Sequence, residues 1–153
     1  MRQASRSPRA ARLLAPLLLT LAALLAFEAL GGLVLFFARL AAGKLPGEAS
    51  HVALGLALTL AYALYQWSHW RRVWPLRARL DYVLGVIAAL SMIAALATGL
   101  LLGLAWWRGR EGTPAFAPPL VAAHNVTSML VLTFALSHLG AVLQRDARAA
   151  SRR

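Results

Sequence analysis

The chain has 153 residues, 60% of them apolar and 14% charged, with a formal net charge of +11 and no cysteine. That length bounds a single domain, and the missing cysteine excludes disulfides, thiolate metal sites and cysteine nucleophiles. The apolar residues fall into four long runs, which predicts an all-α integral membrane protein rather than a soluble core.

The first run, residues 13–40, follows the basic leader of "MRQASRSPRAARLLAPLLLTLAALLAF". The pattern resembles a signal peptide, but the apolar stretch is too long for a cleaved one, so an uncleaved first span is expected. Glu28 lies near the middle of that span, where a charge costs several kcal/mol or is avoided by protonation. It is a candidate proton relay; the alternative is a neutral carboxyl hydrogen-bonded inside the bundle. "AAGKLPGEAS" reads as the first outer loop, and the second run covers residues 51–70. The third covers 80–107 and ends in "RGREGTPAFAPP", where Pro114, Pro118 and Pro119 forbid helix continuation. The fourth covers 120–143. Each run is long enough to cross the ~30 Å of hydrocarbon as a helix. The tails, 1–12 and 144–153, are short and basic and are expected to lack order.

The positive charge is sorted by side. Arg2, Arg6, Arg9 and Arg12 precede the first span, Arg71, Arg72, Arg77 and Arg79 follow the second, and Arg145, Arg148, Arg152 and Arg153 follow the fourth. Only Arg39, Lys44, Arg108 and Arg110 fall on the other side. The positive-inside rule then predicts an up-and-down four-helix transmembrane bundle with both termini in the cytoplasm. Trp67, Trp70 and Trp74 mark the inner border, Trp106 and Trp107 the outer one, as interfacial anchors do. Charge sorted in this way sets topology and touches membrane lipid headgroups; it does not imply a nucleic-acid partner.

All four histidines belong to the second and fourth spans: His51 and His69, His124 and His138. The fourth-span pair is 138 − 124 = 14 residues apart, a rise of about 21 Å and a turn about 40° short of four full turns. The second-span pair is 69 − 51 = 18 apart, a rise of about 27 Å over five whole turns. Each pair thus shares a helical face. Spans two and four run from outside to inside, so His51 and His124 lie toward the outer face and His69 and His138 toward the inner one. Polar residues at such depth are functional candidates.

Two facing imidazoles can hold one haem iron from both axial sides, which leaves electron transfer and no open position for oxygen. Two such haems would form an electron wire across the membrane, with the bundle setting depth and potential. Zinc fits less well, because no cysteine or carboxylate converges with either pair. Histidines that only hydrogen-bond within the bundle, another metal and a proton relay remain the alternatives. Gly55 and Ser128, one turn after His51 and His124, would open room for a flat macrocycle. Close helix packing also selects such residues, as it does Gly31, Gly32, Gly99 and Gly103. Arg71, Arg72 and Arg79 inside, with Arg39 or Arg108 outside, are candidates to pair with haem propionates.

The second span, "HVALGLALTLAYALYQWSHW", resembles the membrane helix of the flavinylation-associated cytochrome family in His51, Gly55 and Trp70. His124 and His138 are similar to the two-histidine helix found there and in the di-haem cytochrome b subunits of formate dehydrogenases and hydrogenases. The resemblance covers roughly residues 50–143 and rests on short motifs. It implies a multi-pass, bis-histidine haem b protein of the bacterial inner membrane. Its electrons would pass between quinone and a periplasmic partner, a flavoprotein, dehydrogenase or hydrogenase.

This chain departs from that pattern at one place. The family's second histidine, fourteen after the first, is here Tyr65, and the histidine comes one turn later as His69. The outer pair matches, but the inner pair is offset along the helices by about 6 Å. A tilt or bend brings His69 to His138 and gives two haems; otherwise Tyr65 faces His138 and the inner site is degenerate. The sequence therefore points to a b-type cytochrome with one or two haems. A haem-free membrane anchor or assembly subunit is the alternative.

Overall fold

The computed structural model describes residues 8–43, 47–73, 80–109 and 118–151, with side chains from residue 16 onward and up to Arg71 in the second helix. Arg2, Arg6, Lys44, Trp74, Arg77, Arg79, Arg110, Pro114, Arg152 and Arg153 lie outside the described residues, as do the side chains of Arg9, Arg12 and Arg72. The chain is all-α, with four long helices and no strand among the described residues. They are α1 (Pro8–Ala42), α2 (Glu48–Val73), α3 (Leu80–Gly109) and α4 (Pro118–Ala150).

Two of the helices outrun their apolar runs, which corrects the expectation of unordered tails for residues 8–12 and 144–150. Helix α1 begins at Pro8 and α4 continues to Ala150 through "LQRDARAA". Alanine, arginine, glutamine and leucine are strong helix formers, so the helix continues past the apolar segment. Pro118 and Pro119 also belong to α4 rather than to the loop before it. A proline in the first turn lacks only an N–H that has no intrahelical partner anyway.

The turn between α1 and α2 is punctuated by two glycines. Gly43 has φ 63° and donates its N–H to Arg39 O at 3.0 Å, closing α1 with a left-handed cap. Gly47, at φ 78°, accepts the N–H of His51 at 3.1 Å and so opens α2. His51 is therefore fixed by the first hydrogen-bonded turn of its helix.

The chain divides into two compact units, residues 1–70 and 71–153. The first holds the α1–α2 pair and the second the α3–α4 hairpin. Their surfaces invert the soluble pattern. Leu19, Leu30 and Leu40 on α1 are 73%, 68% and 75% exposed, and Leu60, Leu90 and Leu136 are similarly bare on the other helices. Ordered rows of exposed leucine on long helices are stable in lipid and not in water. Helices α1, α3 and α4 are each long and apolar enough to cross a membrane, which makes this a multi-pass membrane protein. Helix α2 has 26 residues, but Thr59, Tyr62, Tyr65, Gln66, Ser68 and His69 dilute its apolarity. Trp67, Trp70 and Trp107 expose their rings near helix ends, as border anchors do.

Candidate functional site

Within the hairpin, both α4 histidines reach across to the backbone of α3. His124 Nδ1 lies 3.1 Å from Ala95 O and 3.2 Å from Thr98 Oγ1. The Thr98 hydroxyl already donates to Ala94 O at 2.8 Å, so it accepts from the ring. His138 Nδ1 lies 2.7 Å from Asp81 O. A backbone carbonyl only accepts, so each ring must carry its proton on Nδ1. The lone pair of the neutral imidazole is then on Nε2.

Glycine is what lets the rings come so close. A Cβ at Gly99 would sit 3.0 Å from His124 Cε1, and one at Gly85 would sit 2.9 Å from His138 Cε1. The two arrangements repeat in register: 138 − 124, 99 − 85 and 95 − 81 all equal 14. Halfway along, Met92 and Val131 are buried at 7% and 4% exposure. A seven-residue repeat of this kind keeps one seam of two packed helices aligned. The hairpin thus presents the same histidine seat twice, about 21 Å apart along α4.

His51 is seated in a related way within the α1–α2 pair. Its Nδ1 lies 2.8 Å from Glu28 Oε2, an ion-pair distance whose alignment is poor for a hydrogen bond. A Cβ at Gly32 would meet His51 Cε1 at 3.3 Å. The oxygen acceptor and the glycine are again four residues apart on the preceding helix, here Glu28 and Gly32. The Glu28 side chain is 10% exposed, and its Oε1 is buried without a hydrogen-bond partner among the described residues. Gly55 faces the same carboxylate: a Cβ there would lie 3.5 Å from Glu28 Oε2.

His69 differs, because its neighbour is on its own helix. Tyr65 Oη lies 3.1 Å from His69 Nδ1, and the rings stack with centroids 5.1 Å apart at 22°. Residues four apart on a helix are neighbours, so this pairing follows from the sequence spacing. A phenol can donate or accept, so the proton position on His69 follows from which role Tyr65 takes.

At the end of the hairpin, Asp81 serves two partners. Its carbonyl accepts from His138, and its carboxylate takes Arg145 Nη1 at 2.6 Å. Arg145 Nε also pairs with Asp146 at 2.8 Å. Arg39 and Arg108 sit in the last turns of α1 and α3, and Ser128 is half-buried on α4.

The structure therefore gives all four histidines an oxygen within reach of Nδ1: Glu28, Tyr65, Ala95 and Asp81. Sequence reasoning found the histidines and noticed Glu28, Gly32 and Gly99 without their use. It missed Gly85 and the two carbonyls. A signal for Gly85 was available, since its spacing to Gly99 equals that of His124 to His138. Among the described residues no three histidine, aspartate or glutamate side chains converge. No protein-family model, curated protein or solved structure matches the chain.

Proposed function

We propose that the protein is a bis-histidine b-type cytochrome of the bacterial inner membrane, passing electrons between the quinone pool and a periplasmic redox partner such as a flavoprotein, dehydrogenase or hydrogenase. One observation carries the reading: the Nδ1 atoms of His124 and His138 are hydrogen-bonded to backbone carbonyls, which puts the lone pair of each neutral ring on Nε2. Ligating histidines use their second nitrogen in this way, to fix tautomer and ring direction. Among the described residues no third histidine, aspartate or glutamate joins a pair such as His51 and Glu28, and haem asks the protein only for two axial nitrogens, because the porphyrin supplies the other four donors.

The outer haem would be held by His51 and His124, the inner one by His69 and His138. The outer pairing follows from the topology expected from the basic clusters, which sets His51 and His124 toward the same face. Haem with both axial positions filled supplies one-electron transfer and closes the iron to oxygen. The chain's own part is to fix the His124 and His138 imidazoles in one tautomer through the carbonyls of α3, and to set Glu28 beside His51 and Tyr65 beside His69.

The test is a reduced-minus-oxidised spectrum of the purified protein together with its haem-to-protein ratio. A Soret band with a sharp α-band and one or two b haems per chain is expected. A colourless protein that folds and inserts normally would overturn the reading and leave a haem-free membrane anchor.

A further inference from the structure

We infer that Gly85 and Gly99 are positioning residues: with the carbonyls of Asp81 and Ala95 they form two equivalent seats on α3 that set the tautomer and direction of His138 and His124. The inference deepens the cytochrome reading, because it assigns α3, a helix without a histidine, the task of presenting both α4 ligands. Its geometric content does not depend on haem.

His138 Cε1 and Nδ1 lie 2.9 and 3.1 Å from where a Gly85 Cβ would be. The same ring is held from its Nδ1 by Asp81 O at 2.7 Å. An alanine at position 85 could not be accommodated by a small ring shift without lengthening that hydrogen bond. Position 99 behaves alike: His124 Cε1 and Nδ1 lie 3.0 and 3.5 Å from the Cβ site, with the ring tied to Ala95 O at 3.1 Å. In each seat the acceptor precedes the glycine by four residues, one helical turn. The carbonyl and the bare Cα therefore lie one above the other on the same face.

General close packing does not account for this. Packing glycines let two backbones approach, whereas here the atoms in the gap are imidazole carbons and nitrogens. Nor is every glycine of the hairpin so used. Gly140 on α4 has open space where its Cβ would point. The Gly32 seat of His51 is looser, at 3.3 Å, and takes a carboxylate instead of a carbonyl.

The experiment uses the full chain in lipid nanodiscs with ¹⁵N-labelled histidine. Ring protonation is read by ¹H–¹⁵N NMR, in the diamagnetic ferrous state if the protein carries haem. His124 and His138 should both show Nδ1–H, and either ring protonated on Nε2 instead would overturn the proposal. Gly99→Ala should disturb only the His124 signals and Gly85→Ala only those of His138, with Gly140→Ala changing neither. In haem-loaded protein each alanine should weaken retention of the haem at its own site about 10–100-fold, the range for lost ligand-orienting contacts. The other site's low-spin spectrum should persist. Unchanged ring signals in both variants would sink the idea, as would equal loss at both sites in all three. If the wild type is colourless, the cytochrome reading fails while the tautomers still decide the seats.

Discussion

Glu28 and His51 meet at 2.8 Å within the α1–α2 pair, the carboxylate coming from mid-helix on α1 and the imidazole from the opening turns of α2. The contact explains two features that the sequence left separate. A carboxylate in an apolar helix needs a partner, and His51 needs something to orient its ring. Gly32 and Gly55 flank the pair, one making room for the ring and the other for the carboxylate.

Replacing Glu28 should therefore act on the outer site. Glu28→Ala removes the group facing Nδ1 and is expected to weaken outer haem binding by roughly 10–100-fold. Glu28→Gln keeps an amide oxygen that can accept from Nδ1 and should retain most of it. Haem retention during dilution or competition with an apo-haem acceptor measures both. Equal retention in Glu28→Ala and wild type would separate the carboxylate from the site.

Direct ligand removal gives the larger effect. If His51 and His124 hold an outer haem as proposed, His51→Ala or His124→Ala removes one of its axial nitrogens, and its low-spin spectrum should vanish in either variant. Absorbance and low-temperature electron paramagnetic resonance check this. If both variants kept full haem content and an unchanged spectrum, the outer assignment would be wrong.

Topology turns on α2. Helices α1, α3 and α4 meet the length and apolarity for crossing, while α2 carries more polar side chains. If α2 crosses as well, the two termini share a side, and the basic clusters place that side in the cytoplasm. A reporter fused after Arg153 should then be active only in the cytoplasm, and one inserted near Gly112 only outside. With α2 not crossing, a reporter after Arg153 would be active outside.

The histidine phase and the helices were legible because both follow from 3.6-residue periodicity and long apolar runs, which need no tertiary contact. The α3 helix begins where its apolar run begins, at Leu80. What could not be read was which atoms hold the rings. Ala95 and Asp81 act through backbone carbonyls, to which the side chain at those positions gives no clue. Gly85 carries meaning only once α3 and α4 are in register, since its partner His138 is 53 residues away (138 − 85). Order near the ends was hidden for a simpler reason: short terminal segments are expected to fray, whereas residues 8–12 and 144–150 hold arginine and alanine, which favour helix.

The proposed inner haem turns on how Tyr65 meets His69. The sequence posed Tyr65 and His69 as competitors for the place opposite His138. In the folded α2 they are partners, with Tyr65 Oη 3.1 Å from His69 Nδ1 and the two rings stacked. If the phenol accepts from Nδ1–H, it plays for His69 the part that Asp81 O plays for His138, and His69 is prepared to ligate through Nε2. Two haems per chain are then expected. His69→Ala should lower the ratio to one and leave the outer spectrum intact, and Tyr65→Phe should weaken the inner haem alone by about 10–100-fold. If instead the phenol donates to Nδ1, His69 carries its proton on Nε2 and is not set to ligate. The wild type would then bind one haem, and neither substitution would change the ratio. In that case Tyr65→His restores a spacing of fourteen on both helices, and gain of a second haem in that variant would show that the ligand register, not the lipid depth, had left the inner site empty.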